Sequence, residues 1–251
     1  MRTQDGLMAA YNIQTVVDAE NKMIANADVI TENVDFEQLK PALEALKQNI
    51  DLVPEEIIAD TGYYVPAEIR AIEQGEETKC YVNVPKESKT KKEERENGIT
   101  FEYDAQKDEY ICSQGKRLVL KARGVMKRNV LYDRYDGIEC DGCPVRDMCT
   151  KAKAGRIIYR RHDHEWKSQY DQRMNQKQGR ERLKKRRAVV EHPFGTMKIW
   201  MGKLQLLLRG KRKVQIEVDL ITTTYNLRRL LNIESNQNLV QMIKNYHWKA
   251  A

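Results

Sequence analysis

Between Arg186 and Lys198 the chain reads RRAVVEHPFGTMK, which sets one acid, Glu191, among bases at helical spacing. Arg187 precedes it by four residues and Lys198 follows it by seven, so on a helix the three share a face. A carboxylate held among cations suits a metal ligand beside side chains that grip phosphate. The same pattern also describes a solvated amphipathic helix with an i,i+4 ion pair. A second carboxylate, Asp60, closes the apolar run EIIAD and precedes Thr61-Gly62. Acids at a strand end and on a facing helix supply the hard oxygen donors that Mg²⁺ or Mn²⁺ takes. Two such ions about 4 Å apart activate a water or 3′-hydroxyl against a phosphodiester. An Asp before Thr-Gly is equally a turn former.

The cysteines offer a second chemistry. Cys140-x2-Cys143-x5-Cys149, with Cys112 at the end of a preceding strand, gives four thiols, the number that a structural tetrahedral Zn²⁺ takes. Zinc would then tie together a segment too small for a core of its own. The alternatives are reduced thiols in a small hairpin core, and a redox CDGC that lacks its βαβ context. His162, His164 and Glu165 read as a helix start near Asp163 rather than a metal trio. His192 points about 100° away from Glu191 on a helix. Trp166, Trp200 and Trp248 read as packing residues before base-stacking ones.

Charge indicates a partner. The 251 residues carry a formal +7, but Lys177 to Lys213 alone hold thirteen Lys or Arg against two acids. Such a surplus points to a polyanion, and DNA or RNA fits it. Lys184, Arg187, Lys198, Arg209, Lys211 and Arg212 are the candidate phosphate contacts. An anionic membrane is disfavoured because the bases surround the whole helix. No run of eighteen apolar residues and no secretory signal stands out, so the reading is a cytoplasmic protein with reduced cysteines.

The elements that must position these residues follow from periodicity. Tyr11 to Asp18 and Met23 to Thr31 predict an antiparallel hairpin, and Asp35 to Gln48 an amphipathic helix with Asp35 near its start. Glu56 to Asp60 predicts a strand, Ala67 to Gln74 a helix and Cys80 to Val84 another strand, the opening of an α/β domain. Lys86 to Asn97 has no apolar residue and predicts a mobile loop. Ile99 to Tyr103 and Glu109 to Cys112 predict a second hairpin. Helix is expected from about Asp163 to Val190, with a kink at Pro193, and again over Val214 to Leu231. The leucines of LQLLLRGKRK are expected inside, with its bases outside. The organisation read from this is 1–84 as the first part of a core, 85–160 as a β-rich insertion, 161–233 as a helical second part and 234–251 as a tail.

Several strings together resemble one family. IIADTGYY from Ile57 to Tyr64, VEHPFGTMK from Val190 to Lys198, LLLRG from Leu206 to Gly210 and the closing YNLRRLL are similar to DDE transposases of bacterial insertion sequences. The subgroup is the one with a cysteine-bearing insertion between the second and third acids. The resemblance runs from GLMAAYNIQTVVD to about Ile233. It implies an RNase H-like α/β core, an acid triad holding Mg²⁺, and DNA chemistry at insertion-sequence ends by hydrolysis and strand transfer. It also implies paired copies, a homodimer. Asp60 matches the second acid and Glu191 the third. In the signature Tyr-x2-Arg-x3-Glu-x6-Lys, Arg187, Glu191 and Lys198 fit, whereas the Tyr position is Lys184.

The front of the chain departs from the family. The first catalytic Asp would lie on a strand before the hairpin, and no strand is predicted there. Asp5 and Asp18 read as turn residues. The expectation is an N-terminally truncated core with two of three acids, binding Mg²⁺ weakly and cutting DNA poorly or not at all. The rival expectation is a non-catalytic DNA-binding remnant. A third is a zinc-dependent nucleic-acid module over residues 99–160.

Overall fold

The computed structural model describes residues 2–3, 6–7, 10–75, 78–127, 130–201 and 206–245. In chain order the elements are β1 (Arg2–Thr3), β2 (Gly6–Leu7), β3 (Asn12–Val17), β4 (Ile24–Ile30), α1 (Leu39–Ile50), β5 (Glu56–Ala59), a 3₁₀ turn (Thr61–Tyr63), α2 (Pro66–Gly75) and β6 (Lys79–Val82). Then come α3 (Lys89–Glu96), β7 (Phe101–Asp104), β8 (Glu109–Cys112), β9 (Arg117–Lys127), β10 (Val130–Gly137), α4 (Arg146–Cys149) and β11 (Ile157–Arg161). The chain closes with α5 (His164–Asn175), α6 (Lys177–Met201), α7 (Lys211–Ile233) and α8 (Asn236–Asn245). It is a mixed α/β protein. Two compact units divide it, one made of Met1–Val84 with Arg173–Ala251 and the other of Pro85–Gln172.

In the first unit β3 and β4 form the antiparallel hairpin that their alternation predicts. Strand β5 runs parallel to β6, where Cys80, Tyr81 and Val82 are all fully buried, as strands covered on both faces require. The hairpin leans on α7 through Val29, Val214 and Val218, and on α6 and α7 through Ile24, Met197 and Tyr225. Polar side chains of α7 also seal one edge of β4. Gln215 accepts from Val29 N at 2.7 Å and donates to Ala27 O at 2.7 Å. Asn226 does the same for Ile24, accepting at 2.9 Å and donating at 2.7 Å. A register shift at Val16/Val17 brings Ile24 into line with Ala27 and Val29 on that edge. Tyr225 and Arg229 pin the hairpin turn by donating to Lys22 O and Asn21 O, each at 2.7 Å.

The second unit is a five-stranded antiparallel sheet in the order β11-β10-β9-β8-β7. Its core is Tyr110, Leu118 and Tyr135, with Phe101, Tyr103, Leu120 and Ile158 against them. The three tyrosines Tyr103, Tyr110 and Tyr135 meet edge-on or tilted, with centroids 5.1 to 6.1 Å apart. Asp108 serves two of them, its Oδ1 accepting from Tyr135 at 2.5 Å and from Tyr103 at 2.7 Å.

Several expectations need correction. Lys86 to Asn97 is not a loop throughout. Ser88 caps α3 by accepting from Lys91 N, Lys92 pairs with Glu96 one turn on, and Glu94 is buried against Arg156 at 2.6 and 3.0 Å. A strong helix-forming composition with a cap and one buried ion pair replaces the missing apolar face. Helix α6 continues through Pro193 to Met201, and Pro193 is fully buried. Helix α1 begins at Leu39, later than predicted, and Asp35 does not cap it. A two-residue ladder, β1 with β2, precedes the hairpin where no strand was expected. Of the leucines in LQLLLRGKRK, Leu206 packs on the Val29 cluster, but Leu207 is 83% and Leu208 44% exposed. Leu204, Asp5 and Trp248 lie outside the described residues.

The Asp108 arrangement is testable. The Tyr135 and Tyr103 hydroxyls hold its carboxyl below the ordinary 3.8. A folded value below the unfolded one contributes stability above about pH 4 that is lost as pH falls through the folded value. Asp108→Ala leaves the buried Tyr135 hydroxyl without its acceptor and should cost ~1–3 kcal/mol in hydrogen-exchange protection of the β8, β9 and β10 amides at pH 7. The gap between wild type and variant should narrow as the exchange pH is lowered toward 3, and a gap independent of pH would refute the charge's role.

Candidate functional site

Strand β5 ends at Ala59, and Asp60 turns the chain. Its backbone is extended, and its Oδ1 accepts from Gly62 N at 2.9 Å, which starts the 3₁₀ turn. The turn-former reading of Asp60 therefore holds. Its second oxygen faces Arg186 Nη1 at 3.5 Å. Four residues back along each segment, Arg182 grips Glu56, its Nη2 donating to Oε1 at 3.0 Å and its Nε standing 2.9 Å from Oε2. Four residues span ~13 Å of strand but only ~6 Å of helix, so the two long guanidinium arms must splay to reach both acids. This pair of contacts lays α6 along β5.

A third acid joins Asp60. Asp35 Oδ1 accepts from Asn12 Nδ2 at 2.9 Å and from Gln14 Nε2 at 2.7 Å. Gln14 is buried and in turn accepts from the Tyr63 hydroxyl. Burial first, then the Asp35 and Asp60 carboxylates, push the Tyr63 phenol far above its ordinary value, so it stays protonated and donates. Both acids press on one glycine. A Cβ on Gly62 would stand 2.8 Å from Asp35 Oδ2 and 3.1 Å from Asp60 Oδ1. Sequence reasoning placed Asp35 only at a helix start. The available signal was Asn12 and Gln14 two apart on one strand face, where two amides need a partner.

Glu191 is elsewhere. On α6 the residues Arg182, Arg186, Val189, Pro193 and Met197 form the face turned inward, while Lys184, Arg187, Glu191 and Lys198 cluster within about 60° on the opposite side. Arg187 Nε meets Glu191 Oε1 at 3.3 Å, with the two side chains 81% and 63% exposed. The i,i+4 ion pair is thus present, and Asp60 and Glu191 are not brought together. Among the described residues no group of three or more His, Cys, Asp or Glu is gathered to hold a metal ion. Lys184, Lys198, Arg209, Lys211 and Arg212 are exposed and make no ion pair among the described residues. The last two open α7, whose N-cap is Gly210.

The other candidates are accounted for. His162 Nε2 sits 2.9 Å from Asp133, Glu165 takes Arg160 at 2.7 Å, and Asp163 takes Arg161 twice at 2.7 Å. His162, His164 and Glu165 are not gathered into a metal trio. His192 Nδ1 lies 3.3 Å from the Tyr225 hydroxyl. Trp166 stacks on Tyr170, and Trp200 lies between Tyr225 and the Arg228 guanidinium. Asp18 sits in the hairpin turn and accepts from Asn21 N. In the second unit Cys112, Cys140, Cys143 and Cys149 line one cavity of about 30 Å³.

Residues 111–231 match a family model described as a transposase DDE domain. The match supports a DDE-type transposase. It begins in β8 and ends in α7, and so takes in Cys112, Cys140, Cys143 and Cys149 and the six candidate phosphate contacts, with Glu191 but without Asp60. No curated protein and no solved structure matches the chain. No helix among the described residues is long and apolar enough to cross a membrane.

Gly62 gives a direct check on the acid pair. Asp35 cannot swing clear of a new Cβ without leaving Asn12 and Gln14, so Gly62→Ala should destabilise the first unit by ~1–3 kcal/mol in denaturant unfolding. Asp35→Ala removes the obstacle, so the double variant should lose less than the two single losses combined. Strictly additive losses would show that the two positions are not in contact.

Proposed function

We propose that this chain is the catalytic part of a DDE-type transposase acting on the DNA ends of an insertion sequence. The observation that carries the reading is the match over residues 111–231, a range that includes α6 and Glu191. In this reading β3 to β6 with α1 and α2 belong to an RNase H-like core, and Pro85–Gln172 is an insertion between the acids Asp60 and Glu191. The reaction of the complete enzyme is metal-dependent hydrolysis of a phosphodiester followed by strand transfer, and its work on paired ends calls for a homodimer.

The residues divide the labour by position. Lys184, Arg187 and Lys198 share one exposed arc of α6 and would neutralise phosphates along it. Arg209, Lys211 and Arg212 stand where α7 begins, and a helix N-terminus adds its own partial positive charge for an anion. Asp60 and Asp35 offer the oxygen donors that Mg²⁺ or Mn²⁺ prefers. Glu191 does not join them as the chain stands, so the three acids do not fit one metal. Bringing Glu191 to Asp60 requires α6 to turn. Such a turn would break Arg186–Asp60 and Arg182–Glu56 and pull Met197 away from Ile24 and Tyr225, whereas Arg187–Glu191 lies within the helix and turns with it.

The test uses the whole chain and labelled duplex DNA. Binding should weaken linearly on a log–log plot against salt, and Lys184→Gln with Lys198→Gln should lower the slope by ~0.9 for each phosphate contact removed. Mg²⁺- or Mn²⁺-dependent cleavage abolished by both Asp60→Asn and Glu191→Gln would establish the enzyme. Salt-sensitive binding with no cleavage would establish the rival, a DNA-binding protein without the chemistry. Binding indifferent to salt and to both lysines would overturn the reading.

A further inference from the structure

We infer that Cys112, Cys140, Cys143 and Cys149 form a structural Zn²⁺ site that closes the open end of the five-stranded sheet. The inference does not depend on the proposed function. The four thiols come from separated places: the tip of β8, the turn after β10 and the end of α4. All four nonetheless line the same cavity, beside Phe101 and Val145. At about 30 Å³ it has room for a single metal ion. Four soft sulfur donors around a one-atom space select Zn²⁺, which thiolates bind at ~2.3 Å in a tetrahedron.

The local backbone is shaped for sulfur. Cys140 Sγ accepts from Arg156 N at 3.4 Å. A Cβ at Gly137 would come within 2.6 Å of that sulfur and one at Gly155 within 3.0 Å, so both glycines make room for it. Gly142, inside Cys-Asp-Gly-Cys, holds φ at +67°, and Cys143 N turns back to Cys140 O at 3.4 Å. That is a tight two-cysteine knuckle. Two arginines also brace the backbone of the cysteines. Arg146 and Arg156 border the cavity, and Arg156 Nη1 donates to Cys149 O at 2.8 Å while Arg146 Nη1 donates to Cys140 O at 3.4 Å. The thiols are reduced and are not gathered at ligand separation, so holding the ion would take rotation of the four cysteine side chains toward the cavity.

The full chain, purified with zinc in the growth medium and without chelator, should contain one zinc per chain by elemental analysis. Mercurial titration of the thiols should release it, and Co²⁺ exchanged into the site should show thiolate-to-cobalt charge transfer with tetrahedral d–d bands. Cys143→Ser and Cys149→Ser should each reduce the zinc content at least tenfold. Cys80→Ala, which changes the buried cysteine of the other unit, should leave it at one. Because a ligand variant can misfold, the wild-type chain is also stripped with a chelator and refilled, and protection of the β7 to β11 amides should fall and return with the metal. Less than a tenth of an equivalent of zinc after refilling, four thiols titrating freely in the folded chain, iron in place of zinc, or a disulfide by mass would each overturn the inference.

Discussion

The hairpin β3–β4 has an edge that must be satisfied, and the first unit is organised around how this is done. A strand edge presents unpaired N–H and C=O groups that cost free energy when removed from water. Helix α7 supplies Gln215 and Asn226, each an amide that accepts from an N–H and donates to a carbonyl as a neighbouring strand would. Packing of Val214, Val218 and Tyr225 against the hairpin holds α7 where these bonds can form. The hairpin so fixed carries Asn12 and Gln14, which hold Asp35, and Asp35 shares Gly62 with Asp60. Loss of the edge contacts would therefore reach the acid pair through four residues.

Helix α6 separates structural from available charge. Its inward arginines are consumed by β5, with Arg182 on Glu56 and Arg186 on Asp60. Its outward bases stand exposed, with only Arg187 committed, and that to the weak neighbouring Glu191. One basic sequence thus does two jobs that composition alone does not distinguish. The inward pairs give the helix its orientation, and the outward ones leave positive charge facing solvent.

Much of the first unit was legible because its periodicities are strong. The β3–β4 hairpin, β5, α2 and α7 follow directly from alternating or 3.6-residue patterns. What was not legible depends on partners distant in sequence. Helix α3 has no apolar stripe, and its anchor is Glu94 on Arg156, 62 positions later. Asp35 looks like a helix start because the local pattern says so, yet its partners are on a strand 21 and 23 positions earlier. The opposite orientations of Asp60 and Glu191 around α6 follow from which arginines find acids on β5, which no local window contains. The four cysteines were readable as a set from spacing, but their shared cavity was not, because Cys112 reaches it through the sheet.

The two units also differ in when they can be completed. The sheet of Pro85–Gln172 is a meander whose neighbouring strands are consecutive in the chain, so its contacts are local and favour rapid folding. The first unit joins residues 186 to 202 positions apart when Gln215 and Asn226 reach Val29 and Ile24. During synthesis the hairpin therefore leaves the ribosome long before its cover, and at ~5–20 residues per second the edge of β4 stays unsealed for ~10 s or more. For that interval the nascent chain exposes a bare strand edge, the kind of surface on which unfinished chains associate.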